Sequence, residues 1–322
     1  MATENTNTNS QNGYTEAFYN SYTAGYEAVL QEKKPQYQGL VREERIEGEN
    51  ESYDFLGTIE LDQKASRFED IPIEDMTHNR RWISPEWYRK GIFVDKEDDI
   101  ALHTDPTSEY IQALAKGVIR KENEIITASF FSGVSGGKTP GTDTYVLEDA
   151  LYTTATTADG RTIAHDTKSD FTAGGVSTGL TIEKLTLARQ ALVELYNDAD
   201  EMFYIAVSPK QMSDLLREAE TQSIDTNIIR SLAAGVVKEY MGFRFVETNQ
   251  IKNDTANNDV DGDTTVYECP VWSKEGMLFA RHQSPIFNVD WLPRKQIWQI
   301  SARVGMNAIR MDEDKIIKIE CV

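Results

Sequence analysis

The sequence has little cysteine and little histidine. It contains two cysteines, Cys269 and Cys321, and four histidines, and no metal-like spacing links them. Two lone thiols cannot build the disulfide framework that is typical of small secreted domains. The composition therefore argues against a disulfide scaffold and a zinc site, fits a reducing compartment, and nominates neither a metal ligand nor a cofactor.

Long hydrophobic runs and an excess of basic charge are also missing. No stretch approaches 18 consecutive apolar residues, and residues 1–13 lack the basic and apolar regions of a signal peptide. We therefore expect neither membrane insertion nor secretion. The 33 Lys and Arg residues stand against 53 Asp and Glu, which leaves a net charge of −20. This balance argues against a surface that binds nucleic acid by neutralising its phosphates.

Hydrophobic residues are sufficient for a folded core, at 39% of 322 positions. After the polar first 13 residues, aromatic side chains recur at near-helical spacing, among them Tyr14, Phe18 and Tyr22. Two interpretations fit this pattern. One is a short amphipathic helix packed on its own domain, and the other is an arm that buries its aromatic side chains against a neighbouring subunit.

Residues from about 46 to 102 alternate as strands do, most clearly where Tyr53 and Phe55 are set against Asp54 and Leu56. The segment is rich in charge and has too few apolar residues to bury both faces of a sheet. We therefore predict that it projects from the body of the protein.

The densest mixed-charge cluster of the chain lies in this segment. It consists of Asp75, His78, Arg80 and Arg81, with Trp82 and Trp87 beside it. Either the cluster is a solvated loop, or it is a patch of salt bridges between subunits that includes Arg80, Arg81 and Trp82.

Helix signals follow. Asp105-Pro106 is typical of a helix start, and apolar residues then recur at three- and four-residue steps to Phe131, which predicts a helix of about 25 residues. A second helix is predicted from Thr181 to about Tyr196. Ser208, Pro209 and Gln211 predict the start of a third. Strands are predicted at 202–207, 242–247, near 266 and in the tail from 298 to 322.

Two local motifs resemble ligand sites. Ser132–Thr139 is one residue short of a phosphate-binding loop, but a helix precedes it and Pro140-Gly141 follows, so we interpret it as a glycine-rich helix exit. Residues 257–268 match the oxygen spacing of a calcium loop. Since a strand rather than a helix precedes this loop, an acidic solvated hairpin is the favoured interpretation, and a calcium-dependent binding module is kept as the alternative function.

No Ser/His/Asp or Cys/His arrangement can be recognised, and among 53 carboxylates any acid pair would be chosen by chance. The sequence therefore predicts no catalytic residue and no enzyme.

The order of several local blocks resembles the major capsid proteins of tailed bacteriophages with the Hong Kong 97-type fold. The blocks are Thr77–Arg81, Asp105–Tyr110, Leu180–Lys184, Tyr204–Pro209, Tyr240–Phe245 and Gly305–Lys318. Together they span the chain from about residue 14 to its end. The resemblance implies a structural α+β protein that self-assembles into hexamers and pentamers of an icosahedral head around double-stranded DNA.

The same resemblance implies a division of the chain. An N-terminal arm would cover 1–45, an extended β loop 46–104, a peripheral domain with a long spine helix 105–200, an axial domain 201–280, and a return to the peripheral domain 281–322. Some members crosslink a Lys to an Asn of a neighbour, and Lys64 is a conceivable donor that nothing else in the sequence supports.

Partners also follow from the resemblance. They are further copies of the chain, a portal protein, a separate scaffolding protein, a decoration protein and packaged DNA held only non-specifically, with no membrane. The expected location is the virion capsid, after assembly in the host cytoplasm. An acidic shell protein suits this role because it encloses DNA without gripping it.

Overall fold

The computed structural model describes the greater part of the chain. The described residues are 34–56, 63, 70–71, 73, 75, 78–95, 107–141, 143–145, 147, 161–164, 178–195, 201–221, 239–251, 253–254 and 266–322. The predictions that fall on Tyr14, Phe18, Tyr22 and Lys64, and on the calcium-like loop before residue 266, lie outside these residues.

The predicted helices are confirmed within a few residues. They are α1 (Thr107–Ser129), α2 (Ile182–Leu195) and α3 (Pro209–Thr221). The 23 residues of α1 give a length of about 34 Å at 1.5 Å per residue. At the start of α3, the backbone N–H of Ser208 donates to Oε1 of Gln211 at 3.2 Å. This is the capping interaction that the sequence predicts, and it satisfies a donor outside the helical hydrogen-bond ladder.

Strands of 2 to 16 residues fill much of the remaining described chain. They are β1 (Arg42–Arg45), β2 (Glu51–Leu56), β3 (His78–Ile83), β4 (Glu86–Asp95), β5 (Val134–Gly136), β6 (Asp143–Tyr145), β7 (Thr162–Ile163), β8 (Phe203–Val207), β9 (Glu239–Tyr240), β10 (Phe243–Glu247), β11 (Asn253–Asp254), β12 (Val266–Ser273), β13 (Met277–Leu292), β14 (Ile297–Arg310) and β15 (Ile316–Cys321). The strands predicted at 202–207, 242–247 and near 266 are confirmed.

The largest sheet has the strand order β7-β15-β12-β8-β10-β9, with β11 paired to β12. Strand β8 is parallel to β10 and antiparallel to β12. Parallel neighbours need a crossover connection, and α3 follows β8 on the way to β10. Side chains of α2 and α3 pack on one face of this sheet and form the main hydrophobic core with it. That core includes Leu185, Leu192, Leu215, Phe243, Val271 and Ile319.

The turn between β9 and β10 requires glycine at its second position. Gly242 has φ +83°, and a Cβ there would lie 2.5 Å from Nη1 of Arg189. The same Nη1 of Arg189 donates to the carbonyl oxygen of Met241 at 2.6 Å, which ties α2 to the turn. Left-handed backbone and close approach both favour a residue without a side chain.

A second sheet has the order β2-β3-β5-β6. The segment Ser132–Thr139 follows the end of α1 at Ser129, as the helix-exit interpretation expects, and residues 134–136 then form a strand in which Gly136 pairs with Arg81 of β3. A Cβ at Gly136 would lie 2.0 Å from the ring of Tyr145, so this glycine makes room for an aromatic side chain. The described residues directly after the motif form a turn at 140–141 and the strand β6, not the helix that a phosphate-binding loop needs.

A third sheet has the order β1-β13-β14-β4. Leu114, Ile111 and Val118 of α1 pack with Val94 of β4 and Ile300 of β14. This cluster explains the three- and four-residue period of apolar residues along the long helix, because these positions fall on one helix face.

The described end of the predicted arm folds onto its own chain. Tyr37 is fully buried, and its hydroxyl is hydrogen-bonded to the hydroxyl of Thr127 at 2.9 Å. Leu40 accepts a hydrogen bond from Nε1 of Trp272 at 3.1 Å, and β1 pairs in parallel with β13. Tyr37, Leu40 and β1 thus attach residues 37–45 to the rest of the chain, and the aromatic residues predicted to contact a neighbour all precede them.

The chain divides into two compact units. One comprises Met1–Lys34, Trp87–Arg120 and Ser284–Gly305, and the other comprises Pro35–Glu86, Lys121–Gln283 and Met306–Val322. The main hydrophobic core belongs to the second unit, whereas the α1 cluster around Leu114 belongs to the first. The arm, extended loop, peripheral domain and axial domain remain predictions.

Candidate functional site

Arg80 and Trp82 lie on the outward face of the sheet β2-β3-β5-β6. Arg80 pairs across the strands with Asp54, donating from Nε at 2.5 Å and from Nη2 at 2.8 Å. Its hydrogen bond to Asp54 lowers the pKa of that carboxyl group. The Arg80 guanidinium also lies 5.6 Å from the Trp82 ring. The result is a solvent-facing pair of charges beside an indole, as expected of a surface that can contact another protein.

Arg81 points to the opposite face because successive strand residues alternate. It is 6% exposed, and both of its Nη atoms donate to the carboxylate of Glu313, one of them at 2.6 Å. Its guanidinium also lies 4.9 Å from the Tyr145 ring. The solvated-loop interpretation is wrong for Arg81, because this residue is buried in a strand. Its partners are in its own chain, although the predicted subunit contact itself stays untested.

Arg310 extends this buried network. It is fully buried, and its Nη1 donates to the carbonyl oxygen of Phe130 at 2.7 Å while its Nη2 donates to that of Tyr145 at 3.2 Å. Arg310 therefore binds the C-terminal end of α1 to the small sheet. Burial of Arg310 lowers the pKa of its guanidinium, and the nearby Glu313 carboxylate opposes that shift.

Lys184 and the two cysteines are further buried polar groups with partners in their own chain. Nζ of the buried Lys184 donates to the carbonyl oxygens of Thr178, Gly179 and Glu320 at 2.9 to 3.0 Å. Cys269 and Cys321 are free and buried, and a hydrogen bond to Cys321 together with burial raises the pKa of the Cys269 thiol. A buried thiol with a raised pKa is a poor nucleophile.

Within the described ranges, no group of three or more His, Cys, Asp or Glu side chains could hold a metal ion. In the same ranges, no helix has the length and apolar character needed to cross a membrane.

The calcium-like spacing ends at Glu268, and this residue is described. Glu268 lies in β12, is 3% exposed, and its Oε1 is 3.5 Å from Nζ of the buried Lys318 on β15. A ligand at the last loop position would need a carboxylate that turns towards the loop. The position of Glu268 inside the sheet gives the calcium alternative no support.

We expect Glu268→Gln to lower the free energy of unfolding by about 1–3 kcal/mol, because it weakens a buried charge-assisted contact with Lys318. Asp259→Asn with Asp261→Asn is the matched control and should leave stability unchanged. Urea denaturation measures both. A calcium isotherm of the unmodified protein that the Asp259 and Asp261 substitutions abolish would restore the loop as an ion site.

Exposed aromatic side chains mark a surface of which the sequence analysis named only Trp87, beside the mixed-charge cluster. Trp87 and Phe93 of β4 are 52% and 50% exposed. Trp291 and Trp298, at the end of the β13–β14 hairpin, are also exposed, and their ring centroids lie 5.0 Å apart. The abundance of tryptophan was the available signal, but composition cannot say which indoles are exposed. Exposed tryptophan clusters are typical of protein–protein contact surfaces.

Two isoleucines between β2 and β3 are the most exposed large apolar residues in the described chain. Ile71 is 85% exposed and Ile73 is 92% exposed. Asp70 and Asp75, which flank them, are exposed as well. An apolar pair of this kind beside carboxylates is a second candidate contact surface.

Comparisons by sequence and by structure both match phage capsid proteins. A sequence model of the phage capsid protein family matches residues 14–322. The structure is similar to the capsid of cyanophage Pam1, with a TM-score of 0.67, 13% identity, and coverage of 100% of this chain and 99% of that chain. No curated protein sequence matches the chain.

Two further capsid structures are similar over most of their length. The capsid of cyanophage P-SCSP1u has a TM-score of 0.62 at 15% identity, with 98% of this chain and 96% of that chain covered. The capsid of Ralstonia phage GP4 has a TM-score of 0.64 at 10% identity, with 94% and 95% covered. At these identities the similarity concerns the fold, and it confirms the predicted α+β class.

Proposed function

The chain belongs to the phage capsid protein family and is a structural major capsid protein, and from this premise we propose how its copies assemble and with what. Its copies form hexamers and pentamers that close into an icosahedral head around double-stranded DNA. The match to the family over residues 14–322 is the observation that carries this proposal. The role is that of a virion building block and involves no catalytic step.

The proposed division of labour follows the chain. Residues 1–45 supply an arm, of which Tyr14, Phe18 and Tyr22 contact a neighbour, and residues 46–104 supply an extended loop. Residues 105–200 and 281–322 form a peripheral domain, and residues 201–280 form an axial domain. The exposed pair of Arg80 and Asp54, beside Trp82, supports the proposed contact at the outward face of β3. Arg81 takes part in that contact only by holding the strand in place.

Partners in the proposed head are a portal protein, a separate scaffolding protein, a decoration protein and DNA. Assembly takes place in the host cytoplasm. The net charge of −20 supports a weak, non-specific relation to the packaged DNA, because a polyanion is repelled by an acidic wall.

Negative-stain electron microscopy of the purified protein tests the proposal. We expect shells or ring-shaped capsomers, with or without a co-expressed scaffolding protein. A small monodisperse particle under every assembly condition would contradict it.

Deletion of residues 1–30 should leave the body folded and impair shell formation, because the arm's aromatic side chains are proposed to be buried only between subunits. The described core that begins at Tyr37 supports this separation, since it lies beyond the deletion. Circular dichroism measures the folding and sedimentation measures the assembly. Loss of cooperative melting in the deleted protein would show that the arm belongs to its own core.

A further inference from the structure

The two cysteines of the chain lie on neighbouring strands of the largest sheet. Cys269 belongs to β12, Cys321 is the last residue of β15, and the two strands pair in an antiparallel ladder. In this ladder Cys269 is opposite Ile319, and Cys321 is opposite Tyr267. The cysteines are therefore diagonal neighbours, and their side chains point to the same face of the sheet because side-chain direction alternates along a strand.

The two thiols are also in contact. Both side chains are fully buried in the main hydrophobic core that α2 and α3 form with the sheet. There the thiols form a hydrogen bond with each other. Diagonal neighbours lie about 7–8 Å apart, and a disulfide usually spans about 4.4–6.8 Å between Cα atoms. A small movement at the end of the ladder, where Cys321 lies, therefore brings the two sulfur atoms to bonding distance.

Their surroundings make the two thiols unequal. A hydrogen bond to Cys321 and burial raise the pKa of the Cys269 thiol. Burial acts in the same direction on Cys321, but the hydrogen bond from Cys269 and the charge of Lys184 outweigh it and lower the pKa of this thiol. Nζ of Lys184 is fixed nearby, because it donates to the carbonyl oxygen of Glu320 at 2.9 Å. Cys321 therefore forms the thiolate, which is the reactive form of cysteine, more readily than Cys269 does.

Two other roles for a cysteine pair fit the site less well. Within the described residues, the cysteines do not belong to a group that could hold a metal ion. Cysteine also fills cores as a small apolar residue, but that role requires neither contact between two sulfur atoms nor an ammonium group beside one of them. A thiol with a lowered pKa beside a second thiol is the arrangement that disulfide formation uses.

We propose that Cys269 and Cys321 are an oxidation site, at which a disulfide closes within the chain after the particle leaves the reducing host cytoplasm. The inference rests on the proposed function, because it takes assembly inside the host and later release of the virion. In the cytoplasm thiols are kept reduced, so both cysteines are free while the shell is built. Outside the cell that reducing system is absent, and a small peroxide can serve as the oxidant.

Hydrogen peroxide is small enough to reach the pair when the end of the ladder opens. The Cys321 thiolate displaces hydroxide from the peroxide and becomes a sulfenic acid, and the hydroxide takes up the proton that Cys321 released. The Cys269 thiol then attacks this sulfur atom. The S–S bond forms, the S–O bond breaks, and the thiol proton leaves with the hydroxyl group as water. The two sulfur atoms are oxidised to a disulfide, and one peroxide is reduced to water.

The disulfide closes a long loop of the chain. Between Cys269 and Cys321 lie both strands of the β13–β14 hairpin and the connection to β15. A crosslink of this kind restricts the unfolded chain, and the effect grows with the length of the closed loop. The oxidised protein should therefore be harder to unfold than the reduced one, which suits a shell outside the cell.

Thiol counting tests the proposal. Particles taken directly from lysed cells and unfolded with N-ethylmaleimide should carry the label on both cysteines. After treatment with hydrogen peroxide they should carry it on neither, and peptide mapping without reductant should show the fragment of Cys269 linked to that of Cys321. We expect oxidation to raise the melting temperature by about 5 °C, and dithiothreitol should reverse the rise.

Three results would overturn the proposal. Labelling of both cysteines after peroxide treatment would show that the pair does not close. A link between cysteines of different chains would show that each thiol has another partner. A disulfide that is already complete at lysis would show that oxidation precedes release from the cytoplasm.

Cys269→Ala and Cys321→Ala are the control variants. Each keeps one thiol, so peroxide should raise the melting temperature of neither variant. In Cys269→Ala the remaining Cys321 should react with dimedone, which traps sulfenic acids, more than Cys269 does in Cys321→Ala, because Lys184 remains beside Cys321. Both positions lie in the core, so each variant is compared with its own untreated sample, and the thiol count of the wild-type protein needs no substitution.

The same samples separate this inference from the proposed function. If the wild-type protein forms neither shells nor capsomers, the proposed function fails, whatever the thiol count. If it forms them and both thiols stay free after peroxide treatment, only the disulfide proposal fails.

Discussion

Replacing Arg81 with Met should lower the free energy of unfolding by about 3 kcal/mol, because it leaves the carboxylate of Glu313 buried without its main partner. The same change removes the hydrogen bond from Nη1 of Arg81 to the carbonyl oxygen of Arg310, at 3.2 Å. The expected loss of stability is near the lower end of the range for a broken buried ion pair, because Nε of Arg310 remains 3.7 Å from Oε1 of Glu313. Chemical denaturation monitored by circular dichroism measures it.

Arg80→Met is the matched control one position earlier on the same strand. Arg80 also makes an ion pair, with Asp54, but both side chains are exposed, so its removal should change stability little. Equal destabilisation by the two variants would contradict the assignment of Arg81 to a buried structural pair.

The Arg81 pair should also depend on pH. Burial alone would raise the pKa of the Glu313 carboxyl group. The hydrogen bond to Arg81 and the charges of Arg81 and Arg310 outweigh burial, so the pKa of Glu313 is lowered from its usual value of 4.5. A lowered carboxyl pKa adds stability above the pKa of the unfolded chain, and that stability is lost as pH falls through the folded value. The difference between wild type and Arg81→Met should therefore be largest near neutral pH and shrink below about pH 4.

Trp272→Ala should lower the free energy of unfolding by about 3–5 kcal/mol, since it empties the centre of a buried aromatic cluster. The Trp272 ring is fully buried and lies 4.7 Å from the Phe130 ring and 5.7 Å from the Tyr37 ring, centroid to centroid. Its loss also removes the hydrogen bond to Leu40. Thermal unfolding measures the stability, and hydrogen exchange of residues 35–41 should show that this segment loosens first.

Trp298→Ala provides the comparison for an exposed indole. Trp298 is 40% exposed and its aromatic contact is with Trp291. Trp298→Ala should lower the free energy of unfolding by less than about 1.5 kcal/mol, the upper end of the range for an aromatic pair. A loss as large as that of Trp272→Ala would mean that burial does not set the difference between the two tryptophans.

Helix bounds and most strands could be read from the sequence because they depend on short-range patterns. The apolar period between Ile111 and Val118 predicts α1, and Ser208 with Gln211 predicts the start of α3; the structure confirms both. The resemblance of local blocks predicts the family, and the match over residues 14–322 confirms it. By composition alone, the two cysteines argue against a disulfide scaffold, and the net charge of −20 argues against binding nucleic acid by neutralising its phosphates.

The direction of each side chain could not be read in the same way. Arg80 and Arg81 are neighbouring residues of the same type, and strand alternation exposes one side chain and buries the other. The pairing with Glu313 shows that Arg81 is the buried one. Glu313 is more than 230 positions away, beyond any local pattern. The strand within Ser132–Thr139 likewise depends on its pairing with β3.

The sequence by itself determined the elements, the class of protein and the acidic character, because propensity, period and charge act between near neighbours. Only the tertiary structure decided which tryptophans are core and which are surface. Trp272 is enclosed by Tyr37 and Phe130, whereas Trp87 and Phe93 meet solvent beneath Arg303 and Lys295. The physical reason is that burial depends on what the rest of the chain brings to each side chain, and those contacts join residues far apart in sequence.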